Sequence, residues 1–157
     1  MEYIFESDYV VGVTSSGIKF MFDVEDYPMV APYNWCVSSG YVHRRDKTSD
    51  VKLHRVLMNC PDGMVVDHIN HNTLDNRKEN LRICTLKENA RNKSYSSNNT
   101  SGKIGVYWKS SRQKWVAQIK IDGKVKHLGI FKNYDDAVKC RLSAEKEYFG
   151  EYAYKYN

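Results

Sequence analysis

Alternation of apolar and polar residues predicts short strands over the first 50 residues of the chain. The runs Tyr9–Thr14, Ile18–Asp23 and Tyr41–Arg44 alternate in polarity or are rich in β-branched and aromatic residues, as half-buried strands are. Small polar turns lie beside them, at Ser15–Gly17 and Ser38–Gly40. This part of the chain is therefore predicted to be a β-rich segment.

A second set of strands, followed by a helix, is predicted in the last third of the chain. The strand-like runs are 104–109, 114–121 and 124–132. Asp122-Gly123 is a strong signal for a tight hairpin. Asn133 is the expected N-cap of the helix and Gly150 its expected end. The apolar helix positions expected to pack on the sheet are Ala137, Val138, Cys140, Leu142, Ala144, Tyr148 and Phe149.

A small, polar stretch without periodicity separates the two strand-rich parts. It covers residues 94–101 and has the composition of a linker. The chain is therefore predicted to be an α+β protein with two domains, residues 1–93 and residues 102–157, joined by that linker. The second domain is expected to be a three-stranded antiparallel sheet plus one helix.

Composition excludes several classes of protein. With 157 residues, 41% of them hydrophobic and 13% aromatic, the chain can form a core and is not a disordered tail. It contains neither an apolar run of roughly 18 residues, as a membrane span requires, nor a signal-peptide pattern. We expect a cytoplasmic protein that is not secreted, with its four scattered cysteines reduced.

The Asp/His/Asn-rich segment 65–92 carries the clearest candidate chemistry. Val65-Val66 leads into Asp67-His68 like the end of a strand, Leu81–Cys84 is a second strand, and Thr85-x-x-Glu88 is a capping box that begins a helix. A hairpin followed by a helix can bring Asp67 close to Asn89. Two oxygen ligands suit a hard cation such as Mg²⁺, and the imidazole of His68 can deprotonate water. Metal-assisted phosphodiester hydrolysis is the chemistry that this set predicts.

The same segment resembles the HNH endonuclease motif in the form found in phage and intron-borne homing endonucleases. The matching stretches are Leu53-His-Arg-Val-Leu57, Asp67-His-Ile-Asn70, Leu74-Asp-Asn-Arg77, Glu79-Asn-Leu-Arg82 and Glu88-Asn89. The resemblance covers about 40 residues. It implies a ββα-metal site within the first domain, with a divalent metal ion as cofactor, most simply Mg²⁺, with Mn²⁺ as an alternative.

The resemblance also implies a role for each matching residue. His68 corresponds to the general base that activates water, and Asp67 and Asn89 correspond to the metal ligands. Asn80 corresponds to the middle Asn, which holds the loop between the strands and orients the base, so it is grouped with His68 as catalytic. His54 belongs to an upstream His-Arg pair with a supporting role.

His71 departs from the pattern, because many relatives carry Gly at this point of the turn. The departure leaves the geometry of the turn open: His71 either has a supporting role, as an additional ligand or a phosphate contact, or simply lies on the loop surface. A zinc site built from His68, His71 and cysteines is a weaker alternative, since no thiols lie at a useful spacing.

The basic residues of the chain are concentrated after the linker. The net charge is +5, but residues 1–50 contain four basic and eight acidic side chains, whereas 101–132 contain eight basic residues and a single acid, Asp122. Strand alternation predicts which side chains point away from the helix-covered face of the sheet. Predicted inward are Val106, Trp108, Trp115, Ala117, Ile119, Ile121, Leu128 and Ile130, and outward Tyr107, Lys109, Val116, Gln118, Lys120, Val125 and His127. Lysines on that outer face suit phosphate contacts and Gln118 suits a base edge.

Residues 101 to about 155 resemble the DNA-binding domain of plant ethylene-response factors, the Apetala-two family. The stretches that match are Ser101-Gly-x-x-Gly-Val106, Lys114-Trp-x-Ala117, Gly123-Lys124, Leu128-Gly-x-Phe131, Ala137 and Ala144-Glu-x-x-x-Phe-Gly-Glu-Tyr-Ala153. The resemblance implies a sheet that reads the major groove of duplex DNA. Tyr107, Lys109, Lys120 and His127 occupy the matching outward positions, and together with Arg112 and Gln118 they are the predicted DNA-binding residues. Because the plant domains are rich in Arg and Trp at the matching positions, we expect looser sequence discrimination here.

The sequence as a whole predicts a metal-dependent, phage- or bacteria-encoded endonuclease that cuts double-stranded DNA. No protein partner or membrane is expected. The alternatives are a non-catalytic DNA-binding regulator whose nuclease site has decayed and an RNA-directed nuclease. A β-sheet cannot enter the narrow major groove of A-form RNA, which favours DNA.

Overall fold

A computed structural model describes residues 1–46, 49–92, 99 and 101–153 of the chain. The chain divides into two compact units, Met1–Ala90 and Arg91–Asn157, and each is described by itself. Most of the predicted linker, 94–101, lies outside the described residues. Within the part of the chain that the structure describes, no helix is long and apolar enough to cross a membrane.

The first unit contains eight strands and three short α-helices among its described residues, besides single 3-10 turns. The strands are β1 (Glu2–Phe5), β2 (Tyr9–Val13), β3 (Lys19–Asp23), β4 (Cys36–Ser38), β5 (Tyr41–Arg45), β6 (Asp50–Lys52), β7 (Val65–His68) and β8 (Leu81–Cys84). The helices are α1 (Tyr27–Val30), α2 (Leu53–Leu57) and α3 (Leu86–Asn89). The strands form two three-stranded antiparallel sheets, β1-β2-β3 and β4-β5-β6, and the hairpin β7-β8.

Alternation explains the first sheet. Val10, Phe20 and Phe22 point to one face and are almost completely buried, as the apolar positions of β2 and β3 predict. Gly12 on β2 makes room for Phe20, because a Cβ atom there would lie 2.5 Å from the Phe20 ring. The core continues through Val30, Trp35, Val42, Leu53 and Leu57, so it joins both sheets and α2. This core fixes α2 and β5 beside the β7-β8 hairpin.

The second unit is a three-stranded antiparallel sheet followed by one long helix. The strands are β9 (Val106–Lys109), β10 (Lys114–Ile121) and β11 (Lys124–Phe131), in the order β11-β10-β9, and the helix is α4 (Tyr134–Phe149). Asn133 is the N-cap residue and Gly150, at φ 55°, is the C-cap, which confirms both predicted ends of the helix. Ala137 packs on Val106 and Ala117 in the core between helix and sheet.

A β-bulge corrects the predicted faces of β11. Ala117 pairs with Gly129 but Gln118 pairs with His127, so the intervening Leu128 has no partner and the alternation shifts by one residue. Phe131, rather than Ile130, therefore packs against the helix. Ile130 is the cross-strand partner of Val116 and lies on the opposite face.

Three more predictions about exposure are wrong. Val116, expected on the outer face and exposed, is buried between its sheet partners Tyr107 and Ile130. Trp108, expected to be buried, is half-exposed at the edge strand and contacts the Trp115 ring edge-on. Leu142, expected to pack on the sheet, is exposed.

The helix instead buries a charged network. Arg141 donates to Glu145 at 3.0 Å and to the Gln118 carbonyl oxygen, and Lys103 donates to Glu145 at 2.8 Å. These side chains are buried because each charge has a hydrogen-bonded partner. Gly105, at φ 77°, lies where a Cβ atom would be 2.3 Å from the Gln118 oxygen, so only glycine fits beside this network.

Candidate functional site

The site is built on the β7-β8 hairpin and the helix α3 that follows it. Asp67 and His68 occupy the last two positions of β7, opposite Arg82 and Leu81 of β8. Thr85 forms the predicted capping box with Glu88: the Thr85 hydroxyl accepts from the Glu88 backbone N–H at 3.2 Å, and the Glu88 carboxylate accepts from the Thr85 backbone N–H at 2.8 Å. This cap begins α3 directly after β8.

Asn80 joins the two ends of the loop between β7 and β8. Its side chain is buried, and its Oδ1 accepts from the Asn70 backbone N–H at 2.9 Å while its Nδ2 donates to the Asp75 carbonyl oxygen at 2.8 Å. Asp75 is buried as well and forms a two-point ion pair with Arg77, at 2.8 Å for each bond. Although burial opposes it, this pairing lowers the pKa of Asp75. The loop is thus closed by specific polar contacts.

His68 is buried among two other rings. The His54 ring, from α2, lies edge-on to it with centroids 5.2 Å apart, and the Tyr41 ring, from β5, lies 6.1 Å away. Tyr41 also contacts His54, at 5.4 Å. We call Tyr41, His54 and His68 the three-ring cluster. It brings together residues from β5, α2 and β7, which are up to 27 positions apart in the chain.

The buried surroundings of this cluster favour the neutral form of both imidazoles. Burial lowers the pKa of His68, against the opposing effects of the Asn76 hydrogen bond and the Asp67 and Asp75 charges. Burial, followed by repulsion from His68, lowers the pKa of His54 to about 3. A neutral imidazole is the form that can accept a proton.

Asn76 fixes the orientation of the His68 ring. Its side chain is fully buried, and its Oδ1 faces His68 Nε2 at 3.4 Å. An amide oxygen on that side favours the tautomer with the hydrogen on Nε2 and the lone pair on Nδ1. Asn76 thus favours Nδ1 as the basic nitrogen of His68.

Asp67 is buried and paired with the residue opposite it. Arg82 donates to Asp67 Oδ2 from Nε at 2.9 Å and from Nη2 at 2.6 Å. This contact holds the carboxylate in one orientation, as a two-point guanidinium contact does. Asn89 is half-buried in the last position of α3, and α3 packs against β7, the strand of Asp67.

The donor set can be compared with what metal ions require. A carboxylate and an amide oxygen fit a hard divalent cation that also keeps water and binds phosphate oxygens. The zinc alternative has no support in the described ranges, since no three His, Cys, Asp or Glu side chains there form a group that could hold a metal.

His71 adopts the backbone conformation that glycine favours. Its φ is 64°, and its backbone N–H donates to the His68 carbonyl oxygen at 3.0 Å, which forms the turn directly after the base. The sequence left the geometry of this turn open, and the structure shows that His71 adopts the backbone conformation of the Gly found in many relatives. His71 is half-buried rather than fully on the surface.

Sequence reasoning assigned no role to Tyr41, Asn76 or Arg82. Asn76 and Arg82 lie inside the stretches that match the motif, and this position could have marked them as candidate site residues. Their contacts with His68 and Asp67 could not be predicted from the sequence. Tyr41 could not be found in this way, because it comes from a different sheet and reaches His68 only through the fold.

The predicted DNA-binding residues share one face of the second unit's sheet. Register pairs Tyr107 with Val116 and Gln118 with His127, and Lys120 lies two residues beyond Gln118 on the same side. Lys109 follows two residues after Tyr107 on the same strand. All of these except the half-buried Gln118 are exposed, and so is Arg112 in the turn between β9 and β10. The face opposite α4 is thus basic, and its side chains are exposed except for the buried Val116 and the half-buried Gln118 and Ile130.

The site thus consists of a two-stranded hairpin, whose first strand ends in Asp67 and His68, and a short capped helix that follows it. A sequence model of the HNH endonuclease family matches residues 52–91, which contain this site. An uncharacterized HNH endonuclease of Acanthamoeba polyphaga mimivirus is 32% identical over 137 residues, covering 83% of this chain and 70% of the relative. Protein 3.8 of Escherichia phage T7 is 32% identical over 93 residues, 59% of this chain and 76% of its own.

A Bacillus subtilis prophage protein, whose description includes the words HNH homing endonuclease, is 40% identical over 55 residues, 32% of each chain. No solved structure matches significantly. The chain belongs to the HNH endonuclease family. It is therefore a nuclease, which confirms the prediction of an enzyme, and the family implies DNA as its substrate.

Proposed function

We propose that this nuclease is a metal-dependent, homing-type endonuclease that hydrolyses phosphodiester bonds in duplex DNA, with His68 as general base. The observation that carries the proposal is the setting of His68: a buried, neutral imidazole next to Asp67, with its Nε2 turned to Asn76 Oδ1. The homing type is supported by the likeness to the prophage protein and by the viral and phage relatives.

In this proposal His68 removes a proton from the attacking water through Nδ1. The positive charge that the ring then carries is favoured by the neighbouring carboxylates of Asp67 and Asp75, both of which raise the pKa of His68. Asn76 keeps the ring in the required tautomer, and the contacts with Tyr41 and His54 keep it from rotating. Asn80 acts one step further away, by holding the loop that carries Asn76.

Asp67 and Asn89 are the proposed ligands of the divalent ion, most simply Mg²⁺. When bound, the ion would stabilise negative charge on the phosphate and on the leaving 3′ oxygen. HNH nucleases generally use such an ion, and the oxygen donors of Asp67 and Asn89 suit it. Arg82 holds the Asp67 carboxylate in its orientation. His54 and His71 support the site, His54 through its ring contacts and His71 through the turn after His68.

The second unit is the proposed DNA-positioning domain, of the Apetala-two type. Its sheet face opposite α4 would lie in the major groove, with lysines on phosphates and Gln118 at a base edge. Support comes from the shared face of Tyr107, Gln118, Lys120 and His127, as register defines it. The net excess of seven basic residues between 101 and 132 adds a favourable field for a polyanion.

A cleavage assay on supercoiled plasmid tests this function. We expect cutting with Mg²⁺ or Mn²⁺ and none in the presence of EDTA. Competition with unlabelled duplex DNA should suppress cutting, whereas structured RNA at equal nucleotide concentration should not. Cutting that persists in EDTA would contradict the metal requirement, and equal competition by RNA would contradict the preference for duplex DNA.

A further inference from the structure

A second cluster of reactive side chains lies on the β4-β5-β6 sheet, apart from the residues of the nuclease site. Cys36 of β4 and His43 of β5 are directly paired across the two strands, and Asp50 is the first residue of β6. The Cys36 sulfur lies 3.3 Å from His43 Nε2, and Asp50 Oδ1 contacts His43 Nδ1. Three residues from three strands thus form a continuous chain of thiol, imidazole and carboxylate.

The order of these groups determines what they can do. A carboxylate on Nδ1 keeps the hydrogen of the neutral ring there, so the lone pair of Nε2 is directed at the sulfur. The imidazole can then accept the thiol proton, as bases beside nucleophilic thiols do. The Cys36 Sγ also lies 3.4 Å from the His43 carbonyl oxygen, so the thiol hydrogen has a second acceptor in the same residue.

Accessibility separates the roles of the three residues. Cys36 is exposed, whereas His43 is buried at 9% exposure and is held between its two partners. The Asp50 side chain is 55% exposed, so it can be changed without opening the core. Because both ring nitrogens already face side chains of the cluster, the three groups do not converge on a common point, as metal ligands would.

The other three cysteines have no comparable setting. Cys84 is buried, and burial raises the pKa of its thiol. The Cys60 sulfur lies 3.7 Å from the Pro61 carbonyl oxygen, and the Cys140 sulfur lies 4.0 Å from that of Leu128. In the described part of the chain, Cys36 is the one thiol in contact with an imidazole. This cluster could not be predicted from the sequence, because no short motif links these positions.

We propose that Cys36 is a nucleophilic thiol, a redox modification site that forms mixed disulfides with low-molecular-weight disulfides. His43 takes the proton of the Cys36 thiol while the sulfur attacks one sulfur of the disulfide. A new S–S bond forms, the original S–S bond breaks, and the departing thiolate takes the proton from His43. The sulfur of Cys36 is oxidised from a thiol to one half of the mixed disulfide, and the departing sulfur of the small disulfide is reduced to a free thiol.

The experiment follows the reaction of the full-length protein with an aromatic disulfide, 5,5′-dithiobis(2-nitrobenzoic acid), near neutral pH. Release of the coloured thiolate gives the rates of thiol modification, and mass spectrometry of peptides assigns each rate to Cys36 or to Cys60. Cys60 serves as the internal reference. Because Cys36 is also more exposed than Cys60, the decisive comparison is the Cys36 rate before and after changes to its partners.

His43→Gln is expected to slow Cys36 about tenfold while leaving the rate of Cys60 unchanged, since it removes the base but not the accessibility of the thiol. Asp50→Asn, at the more exposed position, should produce a smaller decrease in the same direction, and circular dichroism checks that each variant is folded. A Cys36 rate that stays at the wild-type value in Asp50→Asn and in folded His43→Gln would overturn the proposal. If His43→Gln does not fold, Asp50→Asn alone decides between the two outcomes.

Discussion

Replacing Asn80 by Ala tests whether a single buried amide holds the loop between β7 and β8. The substitution removes two hydrogen bonds at once, from the Asn70 backbone N–H at 2.9 Å and to the Asp75 carbonyl oxygen at 2.8 Å. Because the Asn80 side chain is buried, water cannot readily replace it. The Asp75 carbonyl oxygen would be left buried and unsatisfied, at a cost of about 1–3 kcal/mol, whereas water can partly replace the bond to the N–H of the exposed Asn70. We therefore expect a loss of about 2–3 kcal/mol in the free energy of unfolding.

That loss is large beside the total stability of a small domain, about 5–15 kcal/mol, so it should be plain in urea unfolding. The matched control is Asn72→Ala in the same loop. Asn72 is exposed, and its Oδ1 accepts from the Leu74 backbone N–H at 3.2 Å, a bond that water can replace. We expect that control to cost less than about 1 kcal/mol.

DNA cleavage by folded Asn80→Ala should fall as well, because the loop carries Asn76 to His68. The reasoning would be refuted if the free energies of unfolding of Asn80→Ala and Asn72→Ala agreed within about 0.5 kcal/mol, a difference typical of changes at unimportant surface positions. Wild-type cleavage by Asn80→Ala at a temperature where it is folded would refute the link to His68.

Three further predictions concern His54, Asn76 and Lys120. The pKa of His54, about 3, lies below the value of about 6.5 for a His in an unfolded chain, so the contribution of His54 to stability is full above pH 6.5 and falls as the pH decreases toward 3. The wild type should therefore lose stability in urea unfolding between about pH 7.5 and pH 5, and His54→Phe should remove about 1–2 kcal/mol of that loss. An identical loss in both proteins would contradict a buried neutral His54. Asn76→Ala should lower the cleavage rate about 10- to 100-fold and leave DNA binding unchanged. Asn76→Asp keeps an acceptor for His68 Nε2 and should retain more activity than Asn76→Ala. Equal cleavage rates in the two variants would exclude an orienting hydrogen bond. Lys120→Ala should weaken DNA binding in fluorescence anisotropy and reduce the slope of log affinity against log salt concentration by about 1. Lys139→Ala, on the exposed side of α4, should change neither quantity. An unchanged slope for Lys120→Ala would count against a phosphate contact.

The local elements of the site could be predicted because their determinants lie close together in the chain. The strand Leu81–Cys84, the capping box of Thr85 and Glu88, and the helix between Asn133 and Gly150 all follow from neighbouring residues, and the structure confirms each of them. Capping and alternation act over a few residues, so a single sequence contains them.

What could not be predicted depends on contacts between distant parts of the chain. The contact of Tyr41 with His68 requires two sheets and α2 to share one core. The bulge at Leu128 shifted the faces of β11 although the residues alternate in the sequence. Arg141 and Glu145 are buried and Leu142 is exposed because a paired charge network, rather than hydrophobicity alone, determines which side of α4 faces the sheet.

The central claim, that His68 activates water while Asp67 and Asn89 hold the metal, is tested most directly by measuring cleavage and metal binding in the same variants. His68→Ala should cut plasmid DNA about 10²- to 10⁴-fold more slowly than the wild type but bind Mn²⁺ with unchanged affinity in calorimetry. Asp67→Asn should lose both properties. Wild-type cleavage by His68→Ala would contradict the account.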